Sequence, residues 1–203
     1  MSKSSELFEM RRIENLSSTI FGVAMTLLAY GLPKGRMGDG VPDWSTIWAA
    51  YQSQVVALLI SFMVAGMFWI SHQRRLAYQP HAPRLIIYLN LIFLLTIILL
   101  PVTTGLYGAY GDTRDIVVLY CCHLSVLCGL NTLLWLFAGL ERDRPIVALG
   151  MAFATSVFIS AAFFAWMAPH IRIAQFLWWT AYAAPFIDSF VEKKYRGSTP
   201  QTF

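Results

Sequence analysis

The stretch Leu85–Tyr107, LIIYLNLIFLLTIILLPVTTGLY, contains no charged side chain. A helix rises 1.5 Å per residue, so about 20 apolar residues span the roughly 30 Å hydrocarbon core of a bilayer. A run of this length reads as a membrane-spanning helix. Working outward from it, five further stretches qualify: Leu16–Leu32, Ile47–Ser71, Ile116–Leu140, Ile146–Met167 and Ile173–Val191. Between them lie short breaks rich in charge, Pro and Gly, such as Pro33-Lys34-Gly35-Arg36, Gln73-Arg74-Arg75, Gly111-Asp112-Thr113-Arg114-Asp115 and Glu141-Arg142-Asp143-Arg144-Pro145.

Composition agrees. Hydrophobic residues make up 57% of the 203 residues and charged residues 13%, with a mean hydropathy of +0.57. That leaves too little polar surface to face water on all sides. The expected fold is therefore an all-α integral membrane protein, a single domain over residues 1–203 with six transmembrane helices. In lipid, a helix satisfies its backbone groups internally, and no alternating ten-residue pattern argues for a barrel. With a cytoplasmic N-terminus, the inner side collects Lys3, Arg11, Arg12, Arg74, Arg75, Arg84, Arg142, Arg144, Lys193, Lys194 and Arg196. Lys34, Arg36, Arg114 and Arg172 fall outside. This asymmetry predicts cytoplasmic N- and C-termini. The opening MSKSSELFEMRR carries Glu6 and Glu9 and no small-residue cleavage pattern, so it does not read as a removable signal.

The net charge of +4 sits at segment ends and forms no basic stripe, which argues against a nucleic-acid partner. Cys121, Cys122 and Cys128 share one apolar segment and read as core residues, neither a disulfide framework nor a metal site. His123 beside them lacks converging ligands. Asp188, near the inner end of the last stretch, can snorkel to the interface. The chain has no Gly-rich phosphate loop, HExxH, GxSxG elbow or pair of membrane-embedded carboxylates, so no enzyme is expected. Basic residues do not recur every third position, which argues against a voltage sensor.

Several polar positions remain to be placed. In the first stretch Val23, Thr26 and Tyr30 share one helix face, beside a face of mostly small residues, Ser18, Gly22, Met25 and Ala29. Such faces suit close helix packing or the lining of a pore. His72 closes the second stretch and reads either as an interfacial anchor or as a functional group. Asn90 and Asn131 lie at membrane depth and need hydrogen-bond partners.

A family resemblance bears on these residues. The segment Arg12-Ile13-Glu14-Asn15-Leu16-Ser17-Ser18, running into Ile20–Leu28, resembles the RxxxFSD signature and following apolar run of the lysosomal potassium channel family, transmembrane protein 175, and its prokaryotic six-helix homologues. Trp69-Ile70-Ser71-His72 resembles the family's WxxH. Asn90–Leu95 with Leu99-Leu100-Pro101 resembles its third-helix NLxFLL and LLP pattern. The resemblance implies a potassium-selective or potassium-permeable cation channel in the membrane, without a TVGYG filter. It implies a homotetramer whose first helices line the pore, with K+ as permeant ion and the lipid bilayer as its surroundings. It implies no cofactor and no resident metal. By resemblance, Val23 is the constriction, Thr26 contributes to selectivity and Tyr30 forms the next pore-facing layer. Arg12, Ser17, Trp69, His72 and Asn90 form the network that supports the pore helix. The sequence departs from the family pattern at Leu16 (Phe), Ser18 (Asp), Val23 (Ile) and Tyr30 (Leu). The alternative from a different class is a secondary transporter or a non-conducting scaffold with the same fold. Against transport stands the lack of a Gly/Pro-broken helix pair in matching halves of the chain.

Overall fold

The computed structural model describes residues 8–30, 32, 43–78, 81–140, 149–167 and 180. In chain order these form β1 (Phe8–Glu9), α1 (Met10–Tyr30), α2 (Trp44–Tyr78), β2 (His81–Ala82), α3 (Arg84–Tyr110), α4 (Arg114–Leu140) and α5 (Leu149–Met167). The architecture is helical, and the five helices overlap the first five apolar stretches. The sixth stretch, 173–191, and with it Asp188, lies outside the described residues apart from position 180. Trp44–Leu76, Arg84–Tyr110 and Arg114–Phe137 are long and apolar enough to cross a membrane.

Helix α3 is the spine. It packs against α1, α2 and α4, while α4 carries α5 on its other side. The reason is visible in its residues: Ile86, Asn90, Phe93, Leu94, Ile97, Leu100, Thr104 and Gly108 are buried. Their spacing of three and four traces one side of a helix. Its exposed mid-helix positions Leu91, Ile92, Leu95, Ile98, Leu99 and Val102 are all apolar, as a lipid-facing side should be. Pro101 lies inside α3 and removes the donor that the Ile97 carbonyl would otherwise meet. Near its C-terminal end α3 touches α2 closely: a Cβ on Gly108 would lie 3.3 Å from both Ala57 Cβ and Gln54 Cα.

Asp43 starts α2. Its carboxylate accepts from Thr46 N (2.8 Å) and Ser45 Oγ (2.8 Å), and the Thr46 hydroxyl also donates to it. Together these satisfy helix-start donors that would otherwise be orphaned. The same bonds, the Thr46 hydroxyl's first, hold the Asp43 carboxyl below the usual carboxylate range.

Two features differ from the expectations. Helix α2 continues past Ser71 to Tyr78, because His72 and Arg75 beyond Ser71 are packed into the bundle and do not terminate it. A two-residue antiparallel bridge also joins β1 to β2, with Phe8 opposite Ala82 and Glu9 opposite His81. It ties the start of α1 to the α2–α3 connection, and no hydrophobic period announces so short a pairing.

Candidate functional site

Helix α1 has two unlike sides. Ile13, Ser17, Phe21, Ala24 and Leu28 are buried and recur every three or four residues, so one stripe faces the bundle. The opposite stripe holds Leu16, Thr19, Gly22, Val23, Thr26, Leu27 and Tyr30, all exposed in the single chain. Val23 is 54% exposed and Tyr30 69%. Unlike the outward side of α3, this stripe mixes hydroxyls with apolar groups. Thr19 Oγ1 donates to Asn15 O (2.9 Å) and Thr26 Oγ1 to Gly22 O (2.8 Å). Each hydroxyl proton is thereby turned toward the helix, which leaves the oxygen lone pairs available to a cation.

The inward stripe is held by a polar network. His72 and Arg75 of α2 are fully buried, at 0% and 1% exposure, with Ser17, Asn90 and Asn131. Asn90 Oδ1 accepts from Arg75 Nη2 (2.9 Å) and meets His72 Nε2 (2.9 Å), while Asn90 Nδ2 donates to Ser17 Oγ (3.3 Å). Because that amide oxygen already faces the guanidinium, His72 Nε2 is the donor, and Nδ1 is left without a hydrogen-bond partner among the described residues. Arg75 Nη1 reaches Asn131 Oδ1 (3.4 Å). Asn131 Nδ2 donates to Ser71 Oγ (2.9 Å), as does Trp135 Nε1 (2.7 Å). The His72 ring stacks on Phe93 (centroids 6.0 Å, 8°) and meets Phe21 edge-on (5.8 Å). An aromatic layer thus separates the network from the apolar core toward the bundle centre.

A second contact joins α1 and α2 on the half-exposed side. With its amide oxygen toward α1, Gln73 accepts from Ser18 Oγ (2.8 Å) and Trp69 Nε1 (3.2 Å) and donates to Glu14 Oε1 (3.3 Å). Gln73 thereby links Ser18 to the carboxylate of Glu14, one helical turn earlier.

The residues singled out in the sequence thus fall into two groups. Val23, Thr26 and Tyr30 share the exposed stripe, whereas Ser17, His72 and Asn90 meet in the buried network. Trp69 belongs to the Gln73 contact, and Arg12 is exposed at the start of α1. Two readings need correction. His72 is no interfacial anchor, since it is enclosed by Phe21, Phe93 and Asn90. Arg75, read as part of a charged break between spans and counted among the inner-side charges, is buried and central to the network. Cys122 is exposed while Cys121 and Cys128 are buried, because positions seven apart share a face and the neighbouring position does not. His123 bonds to Thr103 Oγ1 (2.7 Å) and the Thr96 carbonyl (3.0 Å), and among the described residues no cluster of ligands for a metal forms. Asn131, Ser71 and Trp135 complete the network. Of these, Asn131 carried a signal in the sequence, as a polar group at membrane depth.

Comparison with known proteins bears on the same helices. Residues 12–101 match the family model of the endosomal/lysosomal potassium channel TMEM175. Over these residues the chain is similar to the TMEM175 family. The matched stretch runs from α1 to Pro101 of α3, so it contains the exposed stripe and most of the network, while Asn131 and Trp135 lie beyond it. A protein of Streptomyces collinus described as a potassium channel is 30% identical over 104 residues, 50% of this chain and 49% of that one. The chain thus matches about half the length of that relative. The fold is similar to a crystal structure of a lysosomal potassium-selective channel TMEM175 homolog from Chamaesiphon minutus, with a TM-score of 0.72, 18% identity, and coverage of 90% of this chain and 97% of that one. With these similarities and its apolar helices, the chain is a multi-pass membrane protein.

Proposed function

We propose that this protein is a potassium-permeable cation channel and not an enzyme, formed by four copies whose α1 helices surround the ion path without a TVGYG filter. In this reading each copy is a single six-helix domain with both termini in the cytoplasm. The match of residues 12–101 to the potassium channel family model supports it, as does the name of the Streptomyces relative. The observation that carries it is the outward stripe of α1. An apolar Val23, a hydroxyl-bearing Thr26 one turn on and Tyr30 beyond it stand exposed in the single chain, while the inward stripe is fixed by a buried network.

The chemistry follows from the side chains. Four Val23 side chains around an axis form an apolar ring that closes by dewetting when narrow. Four Thr26 oxygens, their protons engaged by Gly22 carbonyls, replace part of the water shell of a cation at that ring. Tyr30 adds bulk and hydroxyls on the outer side. Potassium release from proteoliposomes tests the reading. The wild type is expected to release K+, and Val23→Phe, which fills the ring, is expected to abolish release. Equal release from both proteins would overturn α1 as the ion path.

A further inference from the structure

We infer that Arg75 is a positioning residue for α1, setting how often the conduction pathway is open through a relay that runs from α4 across α2 and α3 to the pore helix. The inference rests on the channel reading above and adds a regulatory role to a residue outside the exposed stripe.

Arg75 forks between two helices. Nη2 donates to Asn90 on α3 (2.9 Å) and Nη1 reaches Asn131 on α4 (3.4 Å). Asn90 passes the contact to Ser17 on the inward stripe of α1 (3.3 Å). Four helices therefore meet through one guanidinium, which also lies 5.9 Å from the Phe93 ring centroid. Among the described residues, the groups that receive its protons are two neutral amides.

A buried charge held this way is a poor device for stability alone, since apolar side chains of similar volume generally hold a bundle as well or better. What a fork supplies is geometry, because its planar donors fix the relative positions of two acceptors. The two arms are unequal. The Asn90 arm is short, and the Asn131 arm is at the outer limit of a hydrogen bond. The α4 arm is the one that can be made or lost as the bundle shifts, which gives the relay two arrangements to switch between.

Single-channel recording of the full chain in bilayers tests this with three variants. Arg75→Met removes both arms. Arg75→Lys keeps the charge but cannot serve both amides. Asn131→Asp places a carboxylate opposite the guanidinium and strengthens the long arm, while Ser71, which accepts from Trp135, still has a proton to donate. The expected result is an unchanged unitary K+ current and reversal potential. Open probability moves by about threefold or more in one direction for the Arg75 variants and in the other for Asn131→Asp. Where Arg75→Met fails to assemble, the opposition between Arg75→Lys and Asn131→Asp decides. Unchanged open probability, shifts in the same direction, or an altered reversal potential would overturn the inference. A wild type that passes no cation current at all would instead overturn the channel reading beneath it.

Discussion

Asn90 uses its amide fully. The oxygen serves His72 and Arg75, and the nitrogen serves Ser17. Asn90→Leu fits the space approximately but leaves the Nη2 arm of a buried guanidinium and an imidazole donor without their acceptor. Leaving a buried donor unsatisfied costs about 1–3 kcal/mol, and more for a charged group, so the variant is expected to lower the thermal unfolding midpoint, as followed by circular dichroism in detergent. Asp43 makes a different prediction. Its folded-state pKa is depressed, so its capping contribution is present above the ordinary carboxylate pKa of about 3.9 and is lost as pH falls through the lower folded value. Hydrogen exchange at the first amides of α2 is expected to stay slow down to about pH 4 in the wild type and to be fast at neutral pH in Asp43→Ala. Asn90 could be named from sequence because a polar group in an apolar run needs partners, whereas Ser17 and His72 entered the network only through the family resemblance. Arg75 escaped because a charge in Gln73-Arg74-Arg75, at the end of an apolar run, carries the same signature whether it faces water or turns inward. Only the packing of α3 and α4 around it separates the two cases.

Among the elements, the α2–α3 contact is the tightest to test. At Gly108 a side chain would press on the α2 backbone at Gln54, which cannot yield as a flexible side chain would. Gly108→Val is expected to destabilise the fold by about 1–3 kcal/mol. Gly105→Ala on the same helix meets nothing within 4 Å and is expected to be neutral or slightly stabilising, since Ala is the better helix former. Paired melting curves of the two variants check this, and equal losses would mean that α2 and α3 are not in close contact there. The helices themselves were legible because hydropathy over a membrane's width is a strong signal. Their ends were less so: α2 runs seven residues beyond Ser71, from 72 to 78, since His72 and Arg75 there are buried by residues of other helices. The β1–β2 bridge left no trace in the hydrophobic pattern.

At the scale of the whole molecule, the exposed stripe of α1 is the unfinished surface of the single chain. A channel built around it requires copies to complete the path, so native mass spectrometry in detergent is expected to give four times the 22.9 kDa subunit mass. A monomer would leave Thr26 facing lipid. The central claim is tested most directly by the reversal potential of the purified protein in bilayers under opposed K+ and Na+ gradients, with Thr26→Ala alongside the wild type. The account predicts a wild-type reversal close to the K+ equilibrium and a shift toward the Na+ equilibrium in Thr26→Ala. A silent, well-folded assembly, or a reversal that Thr26→Ala leaves in place, would contradict it.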